Sequence, residues 1–116
     1  MFATSSEIAQ YIRMTLKQWG VSHLKIEWME RKKYLGLACV TETKIKLNKR
    51  ILASFETFDE VLKHEIAHCI QWKRNGNRFL TKNGRHIFHG ADFAAVCKEI
   101  GIPARTRIPI RYKTYA

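Results

Sequence analysis

Apolar residues recur at helical spacing through the first twenty positions, where Ile8, Tyr11, Ile12, Leu16 and Trp19 share one face. Thr4-Ser5-Ser6-Glu7 ahead of them has the form of a capping box, and Gly20 behind them is a stop, so the pattern predicts an N-terminal helix. The period then changes from 3.6 to 2. Leu24, Ile26 and Trp28 alternate with polar residues, as in a half-buried strand. A basic turn at Arg31-Lys32-Lys33 leads to a second strand from Tyr34 to Val40. Thr41-Glu42 turns the chain into a third, Lys44 to Asn48, with Ile45 and Leu47 inward. Connections this short predict an antiparallel meander.

Helical periodicity returns further on. Thr57 with Glu60 three residues later predicts the cap of a second helix running to about Asn75. Phe58, Leu62, Ile66 and Cys69 form its apolar arc, with Val61 and Trp72 on the shoulder and Asp59, Lys63, Gln71 and Arg74 facing the other way. Gly76 to Gly84 reads as a loop. Phe93, Val96, Cys97 and Ile100 then mark a third helix, stopped by Gly101 and Pro103. The order is helix, three strands, helix, helix, tail. It predicts one α+β domain over residues 1–116, with an N-terminal helix and a three-stranded antiparallel sheet.

The 116 residues are 46% hydrophobic with three tryptophans, enough for a single core without disulfides. Cys39, Cys69 and Cys97 are isolated in sequence and fit apolar positions, which suits buried thiols in a reducing compartment. No signal-peptide pattern and no apolar run of membrane-spanning length is visible, so the chain reads as soluble and intracellular, in cytoplasm, nucleoid or nucleus.

The chemistry concentrates in His64-Glu65-Ile66-Ala67-His68. Histidines four apart project from one helical face and can share a Zn²⁺, and the glutamate beside the first can take a proton from metal-activated water. This is the zincin arrangement for amide hydrolysis. His64 and His68 fall at the edge of the apolar arc, and Glu65 lies within it, where an unpartnered carboxylate is costly. A third protein ligand is required. The metzincin positions hold Gln71 and Arg74, which excludes that class. Glu99 is the only downstream glutamate. His89, in His89-Gly90-Ala91-Asp92-Phe93 at the entry of the third helix, is the stronger candidate, with Gly90 allowing close approach. His86, beside Arg85 in a loop, is the weaker one. Asp92 is placed either to hold the second nitrogen of a ligand histidine or to complement the helix dipole.

An H-E-x-x-H helix followed by H-G-x-x-F at the next helix resembles the SprT-like (SprT/Spartan) zinc metallopeptidase family. Gly36-Leu37-Ala38 and Thr43-Lys44-Ile45-Lys46-Leu47-Asn48 upstream look like its strand segments, so the resemblance covers roughly residues 5 to 101. It implies His64, His68 and His89 as ligands of one zinc per chain, Glu65 as general base, and substrates that are proteins on DNA, including proteins crosslinked to it. The paired C-x-x-C motifs of the family's zinc ribbon are missing, which leaves a minimal catalytic core.

Charge supports a nucleic-acid partner. Twenty-one Lys and Arg against ten acidic residues give a net charge of +11, more than solubility requires. The candidate phosphate contacts are Lys44, Lys46, Lys49, Arg50, Lys73, Arg74, Arg78, Lys82 and Arg85, with further cations at 31–33 and at Arg105, Arg107, Arg111 and Lys113. Trp28, Tyr34, Phe79 and Tyr112 lie near basic residues and offer stacking surfaces, although alternation with Leu24 and Ile26 assigns Trp28 to the core. No base-reading motif is present, so DNA binding without sequence preference is expected. No segment combines this charge with an exposed apolar helical face, which argues against membrane binding. Two other classes fit the same residues: a non-catalytic DNA-binding zinc module, and a metallopeptidase directed at one protein partner, where charge steers an acidic target. Arg85, His86 and Tyr112 are the candidate oxyanion donors.

Overall fold

In the computed structural model, which describes residues 2–30 and 33–109, α1 spans Ser5–Gln18 behind Thr4. The capping box is made: the Thr4 hydroxyl accepts from the Glu7 N–H at 3.1 Å, and Glu7 Oε1 accepts from the Thr4 N–H at 2.9 Å. Ile8, Ile12 and Leu16 bury the predicted face. Arg31, Lys32, Arg111, Tyr112 and Lys113 lie outside the described residues.

The three strands are β1 (Lys25–Met29), β2 (Gly36–Cys39) and β3 (Lys44–Asn48). They form a mixed sheet in the order β1-β3-β2, which corrects the expected antiparallel meander. β1 runs parallel to β3, with Ile26 beside Ile45 and Trp28 beside Leu47, and only β2 is antiparallel, with Ala38 opposite Ile45. Burial explains the order. Ile45 and Leu47 are wholly buried, so β3 takes the middle place, which is covered most completely. β2 lies on the far side of β3 from β1, against the second long helix. Trp28, on the outer strand, is exposed rather than in the core.

A 3₁₀ turn, Lys49–Ala53, delivers the chain to α2 (Phe55–Arg74), where Ser54 is the cap. Ser54 Oγ accepts from the Thr57 N–H at 3.2 Å. The cap expected at Thr57 is therefore one turn too late. Phe58, fully buried, must already be helical to enter the core, and Glu60 is engaged elsewhere. α1 is tied to α2 by the Tyr11 hydroxyl, which donates to Asp59, and by edge-on and tilted ring contacts among Phe2, Tyr11, Phe55 and Phe58.

The predicted loop 76–84 contains one strand of a small hairpin, β4 (Thr81–Lys82) with β5 (Arg85–His86). Asn83 and Gly84 turn it with φ of 54° and 75°, the two left-handed positions of a type I′ turn. α3 (Ala91–Ile100) follows, ends at Gly101, and packs Phe93, Val96, Cys97 and Ile100 inward. Cys69 and Cys97 are buried and Cys39 half-buried, all as free thiols. No helix of the described residues is long and apolar enough to cross a membrane.

Ser54→Ala should destabilise the protein by about 1 kcal/mol, the usual cost of a lost N-cap, with an unchanged urea m-value. Chemical denaturation checks this, and no loss of stability would return the cap to Thr57.

Candidate metal centre and cleft

Helical spacing puts His64 and His68 on one face of α2, and α3 brings His89 over them. Phe93 sets the separation: its ring stacks on His68 at 4.2 Å between centroids and meets His64 edge-on at 4.9 Å. His89, four residues before Phe93, is thereby held 4.8 Å from the His68 ring and 5.4 Å from the His64 ring. One ligand nitrogen from each imidazole lies within 4.8 Å of the other two, and Nε2 of His68 faces Nε2 of His89 at 3.2 Å. The tight turn before α3 needs Gly90, but for a local reason. A Cβ there would stand 2.9 Å from Ile87 Cγ2.

Gln71 fixes the protonation pattern. The amide nitrogen donates to the Phe88 carbonyl at 3.0 Å and to Asp92 Oδ2 at 2.9 Å. Its oxygen is left facing Nδ1 of His68 at 2.9 Å. An amide oxygen only accepts, so Nδ1 of His68 carries the proton and Nε2 keeps its lone pair toward the other rings. Sequence patterning placed Gln71 on the outward side, whereas it is almost wholly buried. It lies three residues beyond His68 and hence on the histidine face. Asp92 also accepts from Asn75 Nδ2 at 2.8 Å. Asp92 thus supports a ring nitrogen, but through Gln71 and not directly.

Burial drives His64 down to about 3, reinforced by His68 and His89, and His68 down to about 4; it also lowers His89. All three rings are therefore neutral near pH 7. Nδ1 of His64 is buried with no hydrogen-bond partner among the described residues. Neutral imidazoles crowded nitrogen to nitrogen, with one tautomer fixed, are the donor set of a nitrogen-bound divalent metal. The residues fit such an ion.

Glu65 is buried beside this cluster, and burial raises its carboxyl to about 8 against the lowering effect of a backbone hydrogen bond from Ala38. Strand β2 lies directly over it. A Cβ on Gly36 would stand 2.9 Å from Glu65 Cγ, Glu65 Oε2 and Val61 Cγ1, so only glycine lets the strand approach this closely. The ladder alternation follows from the Asn48 N–H donating to the Leu35 carbonyl at 2.9 Å. Residues 37 and 39 then pair with β3, while Gly36 and Ala38 turn their backbone groups to the outer edge of the sheet, where that of Ala38 meets Glu65.

Between β2 and the C-terminal segment runs a cleft of about 770 Å³ with His64, Glu65, His68 and His89 at its floor. Thr106, Arg107 and Ile108 form the wall opposite β2, and Phe79 and Phe88 close one side. Arg105 anchors that wall by donating to both oxygens of Glu60, one turn before His64 on α2, with Nε to Oε2 at 2.6 Å. Sequence reading missed this wall, because an irregular segment carries no periodic signal. A second cavity of about 820 Å³, between α1 and β1, has three cations on its rim, Arg13, Lys17 and Lys49, and no carboxylate or histidine in its lining.

The other candidates lie apart from the floor. Glu99 is on the surface, paired with Arg74 at 2.5 Å. His86 sits on the exposed β5, beside Phe79 and Phe88. Arg85 is exposed on the same strand and does not line the cleft, whereas Arg107 does. Lys44 pairs with Glu27 at 3.2 Å and Glu42 at 2.9 Å, and Lys49 with Glu30 at 2.9 Å. Lys46 is half-buried on β3, Arg50 follows it in the 3₁₀ turn, and Lys73, Arg78 and Lys82 are exposed, Arg78 donating to the Asn75 carbonyl at 3.1 Å.

A model of the SprT-like family matches residues 6–114. The chain belongs to that family. No curated protein and no solved structure matches it.

His89→Ala should lower zinc affinity by about a hundredfold or more, as expected when one of three protein ligands is lost, while His86→Ala should leave it unchanged. Competition titration with a chromophoric chelator measures both, and equal affinities would move the third ligand away from His89.

Proposed function

We propose that this SprT-like chain is a zinc-dependent endopeptidase that cleaves proteins bound or crosslinked to DNA, engaging DNA without sequence preference through its cationic surface. The observation that carries the reading is the convergence of three neutral imidazoles from two helices on the floor of a cleft, with a buried carboxylate beside them and a free strand edge above.

His64, His68 and His89 would hold the zinc, and Gln71 keeps His68 in the tautomer that offers Nε2. Zinc bound there supplies Lewis acidity, which makes water a better nucleophile near neutral pH and polarises a carbonyl. Burial alone favours the protonated Glu65 carboxyl at neutral pH; a divalent cation held beside it would favour the carboxylate, and in that form Glu65 is the general base. It takes the proton of the attacking water and returns it to the amine of the departing peptide. The Ala38 N–H aims the carboxylate, and the missing Cβ at Gly36 leaves room for it to move that proton. The outward backbone groups at Gly36 receive an extended substrate as an added strand, which presents an amide across the floor without demanding a particular sequence. Leu35, Leu37 and Ile108 along the walls offer apolar contact to its side chains.

The DNA component is supported by the net charge of +11 and by the family's substrate class. Phosphate contacts position and do not specify. The same interaction brings enzyme and substrate onto one polymer and raises their effective concentration.

Two measurements test the reading. Glu65→Gln should keep zinc and fold while losing a hundredfold or more in cleavage rate, the scale of a removed general base; wild-type cleavage by that variant would overturn the mechanism. If about five cations each neutralise a phosphate, the log–log dependence of DNA affinity on salt should have a slope of about −4.5 on duplex and about −3.5 on single strands. Absence of affinity at low salt would leave a peptidase that finds its substrate by protein contacts alone.

A further inference from the structure

The three-stranded sheet has two outer margins, and only one of them meets the metal centre. β2 forms the margin beside Glu65; β1 forms the other, with β3 between them. The Lys25 N–H donates to the Thr43 carbonyl at 3.1 Å. In a parallel ladder that commits the backbone groups of Lys25, Glu27 and Met29 to β3 and turns those of Ile26 and Trp28 outward. Among the described residues no other segment pairs with this margin. Proline and inward-facing charge, two usual means of blunting an edge strand, are absent from β1: the side chains it turns toward α1 are Ile26 and Trp28.

The cavity of about 820 Å³ lies along this margin. Ile26 and Trp28 line one wall, and Ala9, Ile12 and Leu16 of α1 the other. Trp28 is 37% exposed, so apolar surface remains there for a partner to cover. Arg13 and Lys17, one turn apart toward the C-terminal end of α1, stand where the link over residues 19–24 leads into β1. Lys49, joined to Glu30 just past β1, stands at the other end. The lining contains no carboxylate.

We propose that this groove docks an extended acidic segment of a partner protein, which adds to β1 as a further strand, lays apolar side chains against Ile26 and Trp28 and sets carboxylates beside Arg13 and Lys17. The outward N–H and C=O groups select a polypeptide, because only another backbone matches both; a fatty chain or a nucleic acid offers no such ladder. The cations select its charge. A second copy of this chain would bring the same cations and a further net charge of +11 to the contact, so self-pairing is opposed, whereas a segment carrying carboxylates is drawn in. β1 has five residues and spans about 17 Å, room for a partner strand of similar length. Because β1 and β2 are opposite margins of the sheet, a docked partner leaves the histidine cleft open. The site does not depend on the proposed peptidase activity; it gives the chain a second place at which to hold protein.

The test is fluorescence anisotropy on the full zinc-loaded chain. The probe is a labelled peptide of about nine residues, alternating valine and threonine between paired glutamates at its ends. A lysine-ended counterpart should bind about tenfold more weakly or worse. Two further versions, N-methylated on the valines or on the threonines, lose the N–H groups of one side of the strand each; one should bind like the parent and the other about tenfold more weakly. Arg13→Glu with Lys17→Glu should weaken the glutamate peptide by about tenfold and tighten the lysine-ended one, an exchange that loss of fold would not produce. Circular dichroism and zinc content confirm that the variant is folded. Equal affinity of the two N-methylated versions would overturn strand addition, and unchanged binding in the double variant would overturn the groove as its place. Absence of binding at about 1 mM peptide would overturn the proposal outright. Displacement of the probe by oligo(dT) or laurate at lower concentration than by unlabelled peptide would make the groove a site for nucleic acid or a fatty anion, and would overturn it equally.

Discussion

A buried amide can satisfy both of its ends in only a few orientations, and at Gln71 the surroundings permit one. Two acceptors, the Phe88 carbonyl and Asp92, claim its nitrogen, so its oxygen must meet the proton of His68. This single side chain links the helix that carries two histidines to the segment that carries the third. Reversing the amide would turn a donor toward the protonated Nδ1 and set its oxygen against the Phe88 carbonyl and Asp92, acceptor facing acceptor, in place of three hydrogen bonds. The relative position of α2 and α3, the direction of the His68 lone pair and the closeness of the three rings all depend on that constraint. Phe93 completes it from below by occupying the space into which the rings would otherwise relax.

The second constraint is the contact between β2 and Glu65. A carboxylate on the buried side of a helix would ordinarily have to be neutral or paired. Here the glycine in the strand brings a backbone N–H within reach without filling the space beside the carboxyl group. The strand thus serves the sheet on one edge and the site on the other. That double duty accounts for its place at the sheet's margin.

Much of this was legible in the chain. The capping box at Thr4, the paired histidines of α2 and the placing of His89 ahead of α3 are local signals, set by spacing within one element, and the structure has them as read. Strand order is not local. The parallel pairing of β1 with β3 depends on which strand buries its inward residues most fully, and that is decided by the helices packed against the sheet. Gln71 illustrates the same limit: as a polar residue it read as outward, and only the partners supplied by α3 and Phe88 make its burial tolerable. The Asn83-Gly84 turn carried a recognisable hairpin signal, but flanking strands of two residues each are too short to show alternation. The wall formed by Thr106 to Ile108 has neither periodicity nor motif and appears only once the chain is folded.

That wall differs in kind from the one it faces. β2 is fixed along its length by a hydrogen-bonded ladder, whereas residues 102–109 contain no helix or strand. Among the described residues they are attached through one arginine fork, the Ile102 N–H donating to the Cys97 carbonyl at 3.0 Å, and the packing of Ile102 and Ile108. Local opening is cheapest where such attachments are fewest. The cleft therefore behaves as a jaw with one fixed and one yielding side. A polypeptide laid in it, as the proposed endopeptidase would require, would meet a set backbone register along the strand and a segment opposite able to yield to side chains of varied bulk.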